Sequence, residues 1–176
     1  TLGRWLAREG LNRLAALEPA PPIVRYEYPE PGDMLHLDIK KLGRFHQPGH
    51  RVTHNRKQNS RHAGWECVHV AQDDHSRVSF ACIQPDESRW SACRALVAAL
   101  RFYRTLGVTF TRVLTDNGAC YRSRRFARLC KRLGLRHMRT RPYTPRTNGK
   151  AERFIQTALR EWAYAHSYDS SDHRAQ

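Results

Sequence analysis

Residues 33–42, DMLHLDIKKL, alternate: Leu35, Leu37 and Ile39 point one way, while His36, Asp38 and Lys40 point the other. A period of two is the signature of a strand with one apolar face. WECVHVAQ and RVSFACIQ are two further strand-like runs, and the short acidic DDHS between them makes an antiparallel hairpin the simplest connection. The period then changes. Residues 88–106, SRWSACRALVAALRFYRTL, predict a long helix with Trp90, Cys93, Leu96, Val97, Leu100 and Tyr103 on one stripe, capped by Ser88 and stopped at Gly107. FTRVLTDNG reads as a strand running into a turn, and RRFARLCKRLG as a helix with Phe126, Leu129, Cys130 and Leu133 inward. LRHMRT is a short strand, 141–148 a loop, and a helix follows from Thr147 or Asn148 to Tyr164, buried through Phe154, Ile155, Ala158, Leu159 and Trp162. The order β-β-β-α-β-α-β-α predicts an α/β fold: a mixed sheet, three strands antiparallel and then alternating with helices, covered on both faces.

The flanks differ from this core. GRWLAREGLNRLAAL is an amphipathic helix pattern (Trp5, Leu6, Leu11, Leu14, Leu17) interrupted at Gly10, and EPAPPIVRYEYPEPG carries five prolines. The expected organisation is a remnant helix over 1–18, a proline-rich linker over 19–32, the catalytic-type core over 33–165 and a truncated tail over 166–176. Residues 43–64 are read as one long basic loop. Its histidines His46, His50 and His54 recur every fourth position, but they lack a helical pattern and a nearby cysteine, so solvation rather than zinc is expected. Thr1 in place of Met and the stop at Gln176 suggest a piece of a longer protein.

Charge narrows the function. The chain holds 31 Lys and Arg against 16 Asp and Glu, a net charge of +15, which makes a polyanion such as nucleic acid the first partner to consider. No apolar run approaches a membrane span, and no leader pattern opens the chain. The five cysteines are odd in number and include no C-x-x-C pair, which fits a reduced, cytoplasmic protein with mostly buried thiols.

Against that basic background, three acids stand out. Asp38 lies on the polar face of a strand, where an acid is unfavourable by propensity. Asp116 ends a strand in LTDNG, where ligand sites of α/β sheets collect, although an Asp there also closes an Asx turn. Glu152 opens a helix, where it also complements the helix dipole. Between Asp116 and Glu152 there is no other acid, but eleven Arg or Lys. Isolated acids repel a phosphate ligand unless a divalent cation reverses the sign. Asp73 and Asp74 are read as hairpin-turn acids, and His36 as a neighbour of Asp38 on the same face.

HLDIKKLGRF, DDHSR, LTDNGACYRS and RTRPYTPRTNGKAERFIQ, with thirty-five residues separating Asp116 from Glu152, resemble the catalytic core of insertion-sequence transposases related to retroviral integrases, the Asp-Asp-Glu superfamily. The likeness spans roughly 33–165. It implies a ribonuclease-H-like five-stranded sheet with the first strand beside the fourth. It also implies two Mg²⁺ or Mn²⁺ ions held by Asp38, Asp116 and Glu152, and cleavage and joining of DNA. The implied partners are mobile-element ends and target DNA, bound by a homo-oligomer. DNA contacts carried over are Asn117, Tyr143, Arg146, Asn148, Lys150, Arg153 and Arg160. Arg160 is displaced: relatives carry a base seven positions after the Glu, here Leu159, and position eight lies about 80° round the helix. A tail rich in Trp, Tyr, Asn and Arg-Pro-His, usual in this group, is missing. The competing readings are a DNA-binding remnant without catalysis, which the three intact acids weigh against, and a ribonuclease-H-type nuclease, over which RPYTPRTNGKAERF favours the transposase.

Overall fold

The computed structural model describes residues 2–13, 27–58, 63–140 and 149–176. Five strands form one sheet: β1 (Leu35–Gly43), β2 (Trp65–Asp73), β3 (Ser79–Gln84), β4 (Arg112–Thr115) and β5 (Arg136–Arg139). Their spatial order is β3-β2-β1-β4-β5. β1 and β2 pair antiparallel with Leu35 opposite Asp73 and Gly43 opposite Trp65, and β3 continues the meander antiparallel to β2. β4 joins β1 in parallel and β5 joins β4 in parallel. The central strand is therefore β1; the polarities are those the element order predicts, and β1 beside β4 is the neighbour the resemblance implies.

The two faces of β1 lead to two cores. Leu35 and Leu37 enter a cluster with Leu96, Ala99, Tyr103, Val113, Phe126 and Cys130, beneath α3 (Arg89–Thr105), α4 (Ala119–Arg122) and α5 (Arg124–Arg132). Leu42 packs on the opposite face with Val68, Val70, Ile155 and Ala163, beneath α6 (Gly149–Ala158) and a π-helical turn (Leu159–Ala163). Beside Leu96 and Tyr103, several of the residues that build α3's contact are small. Ala92, Ala95 and Ala99 are buried beside Leu96, so the helix backbone approaches the sheet closely. Ser88 caps α3 by accepting from the Ser91 N–H, as expected, and Gly107 follows it with φ +75°. The apolar stripe is rotated from the expected one: Trp90 is 48% exposed, because Arg125 stacks over its ring at 3.2 Å and keeps it outside the core. Leu133 is also on the surface, whereas Phe126 and Cys130 are inward as expected.

Three further expectations are corrected. The 43–64 stretch is not all loop, since α2 (His50–Thr53) forms within it. The proline linker does not run free to residue 32: the Tyr28 N–H donates to Asp74 Oδ2 at 2.8 Å and the Gly32 N–H to Asp73 Oδ1 at 3.0 Å. The stretch read as a truncated tail is docked on the sheet. α7 (Ser171–Arg174) buries Arg174, whose guanidinium pairs with Glu66 and donates to the Gly43 carbonyl at 2.9 Å. Trp162 Nε1 donates to the Arg174 carbonyl at 2.8 Å, and Ser171 exchanges two hydrogen bonds with the Phe45 backbone. A buried guanidinium needs acceptors, and the end of β1 at Gly43 and the start of β2 at Glu66 supply them. α1 (Leu2–Arg8) buries no residue, and Leu14 and Leu17 lie outside the described residues.

All five cysteines are free thiols, three of them buried. Burial pushes Cys130 up to about 12 and Cys120 up to about 11, so both stay protonated and inert at neutral pH. Among the described residues no helix is long and apolar enough to cross a membrane.

Candidate active site

The parallel register sets His36 of β1 opposite Leu114 of β4. Two residues further along each strand are Asp38 and Asp116, and the side-chain period of two keeps both on the face of His36 and Leu114. β4 ends at Thr115, so Asp116 stands at the strand's carboxyl end, in a turn. There Oδ1 of Asp116 accepts the Gly118 N–H at 2.8 Å, the Asx turn. A Cβ at position 118 would lie 3.0 Å from that oxygen, so glycine leaves the carboxylate its room. Thr115, fully buried, exchanges a 2.9 Å hydrogen bond with His137 Nε2 and fixes the strand end from below. Asn117 Nδ2 donates to the Thr140 carbonyl at 2.9 Å and ties the turn to the end of β5.

Asp38 is half-buried, and its Oδ1 accepts the Ile39 N–H at 2.8 Å. Its carboxyl is pushed up to about 6, first by burial. The Ile39 N–H opposes the rise, and repulsion from Asp116 and then Glu152 adds to it. Two acids from distant parts of the chain thus lie close enough to raise Asp38.

Glu152 lies in the first turn of α6 and is exposed. The helix runs over the same face: Ala151 is fully buried and Ile155 packs with Leu42, Val68 and Val70. Among the described residues, no three His, Cys, Asp or Glu side chains are grouped so as to hold a metal ion. The donor set nonetheless suits a hard divalent cation, being carboxylate oxygens that repel one another in its absence.

The other expected residues are dispersed. Lys150 does not project freely toward a ligand: its Nζ lies 2.6 Å from Oδ1 of Asp74. Arg153 is exposed on α6, and Arg160 is exposed and paired with Glu161 at 2.9 Å. Tyr143, Arg146 and Asn148 lie outside the described residues. Asp73 and Asp74 are turn acids as read, yet both are fully buried. Asp73 receives the Ser76 N–H at 2.8 Å and hydroxyl at 2.7 Å. Asp74 was undervalued by sequence reasoning: it receives His36 Nε2 at 2.7 Å as well as Lys150. The signal available was a pair of adjacent acids where a tight turn needs only one.

Comparison with known proteins agrees with this architecture. Residues 29–145 match the family described as Integrase core domain, and residues 133–176 match a second family of the same description. Transposase InsD of insertion element IS2 from Escherichia coli is 41% identical over 49 residues, covering 28% of this chain and 16% of the relative. A retrovirus-related Pol polyprotein from transposon TNT 1-94 of Nicotiana tabacum is 43% identical over 56 residues, 32% of this chain and 4% of the relative. The chain thus spans a minor part of the length of these curated relatives. Among solved structures, a simian T-cell lymphotropic virus intasome chain superposes with a TM-score of 0.65 at 22% identity, over 88% of this chain and 49% of that one. The HTLV-2 integrase catalytic core, determined with magnesium, gives 0.53 at 18% identity over 82% and 81%. These likenesses show a shared fold, ribonuclease-H-like, with an open five-stranded mixed sheet. With a family match across residues 29–145 and that fold, the chain belongs to the integrase core domain family, which serves DNA integration and transposition.

Proposed function

We propose that the chain is the catalytic core of a DNA transposase, performing metal-dependent cleavage at the 3′ ends of a mobile element and transfer of those ends into target DNA. The observation that carries the reading is the strand register that sets Asp38 of β1 beside the strand end bearing Asp116, with Glu152 in the first turn of a helix packed over that face, in a chain of net charge +15. Asp38 and Asp116 on adjacent strands, with Glu152 from α6, would hold two Mg²⁺ or Mn²⁺ ions. Bound ions of this kind polarise a phosphoryl oxygen, activate an attacking hydroxyl and stabilise the leaving oxygen.

The chain's own groups supply orientation. The Ile39 N–H fixes one oxygen of Asp38, and the Gly118 N–H fixes one oxygen of Asp116. Arg153, exposed on α6, would meet a phosphate beside Glu152, and the Asn117 turn is tied to the end of β5. In the first step water attacks phosphorus, the P–O3′ bond breaks, and the element's 3′-hydroxyl is released. In the second that hydroxyl attacks a target phosphodiester, one P–O bond replacing another, so no external energy source is required. The working unit is a homo-oligomer on paired DNA ends, a proposal consistent with the intasome likeness.

Strand transfer with oligonucleotides bearing the element's own ends, in Mn²⁺, tests the reading. Wild-type protein joins them and Glu152→Gln does not. Equal joining by both proteins would refute the assignment. Salt-sensitive DNA binding without cleavage or joining by the wild type would leave the remnant reading in its place.

A further inference from the structure

Asp74 has no accessible surface and carries three donors from three distant segments. His36 Nε2 of β1 lies at 2.7 Å, Lys150 Nζ of α6 at 2.6 Å and the Tyr28 N–H at 2.8 Å. A carboxylate taken wholly out of water costs several kcal/mol unless it is paired and hydrogen-bonded. An ionised carboxylate only accepts, so His36 donates through Nε2. Burial raises the Asp74 carboxyl, but the bonds from Lys150, Tyr28 and His36 outweigh it and hold the group below the ordinary carboxylate range. The acid is thus a charged joint between the β2–β3 turn, β1 and α6.

Lys150 is oddly placed on electrostatic grounds alone. It sits at the second residue of α6, where the helix dipole disfavours a cation. Its side chain is only 20% exposed, and Asp74 supplies the compensating charge.

The levels along β1 give this joint a consequence. Lys150 meets the acid that also holds His36, and Ile155 meets Leu42, so α6 advances along β1 in the direction of the strand. Glu152, two residues after Lys150, shares that first turn, and its charge reaches Asp38, two residues after His36 on β1. A helix rises about 1.5 Å per residue and a strand about 3.3 Å. A small slip of the first turn would thus change the separation of the two carboxylates by much of a ligand bond.

We propose that Asp74 is a positioning residue: through Lys150 and His36 it locks the first turn of α6 onto β1 and so sets Glu152 against Asp38. This rests on the reading of Glu152 as a site carboxylate, and it makes Lys150 an anchor of the site rather than a phosphate contact.

The test uses Asp74→Asn, Lys150→Met and Glu152→Gln in the whole chain, each first checked for cooperative thermal unfolding. Mn²⁺ binding without DNA is followed by calorimetry, amide exchange over 149–156 by mass spectrometry, and affinity for a fixed 30-base-pair duplex by anisotropy. The expected result for Asp74→Asn and Lys150→Met is Mn²⁺ affinity weakened about 10-fold, as for loss of a group that orients a metal ligand. Exchange in the first turn of α6 should quicken while duplex affinity stays within a factor of two. Lys150→Met removes the joint from its exposed side, so it decides the matter if Asp74→Asn fails to fold. Lower duplex affinity with unchanged Mn²⁺ binding and unchanged exchange would overturn the proposal and return Lys150 to the DNA. The two failures separate: if Glu152→Gln binds Mn²⁺ like the wild type, the site reading falls. If Glu152→Gln loses Mn²⁺ while the other two variants keep it, the positioning role alone falls.

Discussion

Replacing Asp38 by Asn should stabilise the metal-free protein, by an amount that depends on pH. An ordinary Asp titrates near 3.8, and burial with repulsion from Asp116 and Glu152 pushes Asp38 up to about 6. Between those values the folded state holds more proton than the unfolded one, so stability falls as pH rises through the window. Above it the charged carboxylate costs the fold about 3 kcal/mol, which is the difference of the two values at roughly 1.4 kcal/mol each. Asn keeps an acceptor for the Ile39 N–H and removes the charge. The expected gain is therefore about 3 kcal/mol at pH 8 and about 1 kcal/mol at pH 4.5. For a chain of this size it corresponds to a rise in Tm of roughly 6–12 °C at pH 8. Thermal and urea unfolding in EDTA across pH 4.5–8 measure it. Adding Mg²⁺ should then stabilise the wild type and narrow the gap, because a ligand of the folded state adds stability that the variant cannot draw on fully. An Asn variant no more stable than wild type at pH 8, or a difference flat with pH, would refute the claim that burial and the neighbouring acids raise Asp38.

Other perturbations test the frame that carries the site. Arg174→Met leaves Glu66 buried without its partner and should cost about 3–5 kcal/mol, most of it recovered by Glu66→Met in the same chain; urea midpoints decide. Gly32→Ala should lower stability by about 2–4 kcal/mol, since φ is +92° and a Cβ would stand 2.2 Å from the Thr109 carbonyl oxygen. Tyr103→Phe deprives the Val78 carbonyl of a donor at 2.6 Å and the Asp73 N–H of an acceptor at 3.2 Å, costing about 1–3 kcal/mol in denaturant unfolding without changing joining activity.

The parts readable from sequence were those written in local pattern. The alternation of Leu35, Leu37 and Ile39, the hairpin acids and the Ser88 cap gave the element order, and that order permits few sheets. The acids were conspicuous because cations surround them in sequence. What escaped was contact without periodicity. Nothing near Asp74 points to Lys150, seventy-six positions away. Trp90 was assigned inward because it is large and apolar, but three alanines made the better surface against the sheet and left the indole to Arg125. The tail looked like residue left over because its anchors, Glu66 and the Gly43 carbonyl, belong to strands a hundred or more positions earlier.

The π-helical turn at Leu159–Ala163 divides one continuous rod into two azimuths. Such a turn takes up an extra residue per revolution, so the alignment of Trp162 and Ala163 over Leu42 is decoupled from that of Glu152 and Ile155 upstream. Sequence drift, even a one-residue insertion, can be absorbed at the far end of the rod while the near end keeps its bearing on β1.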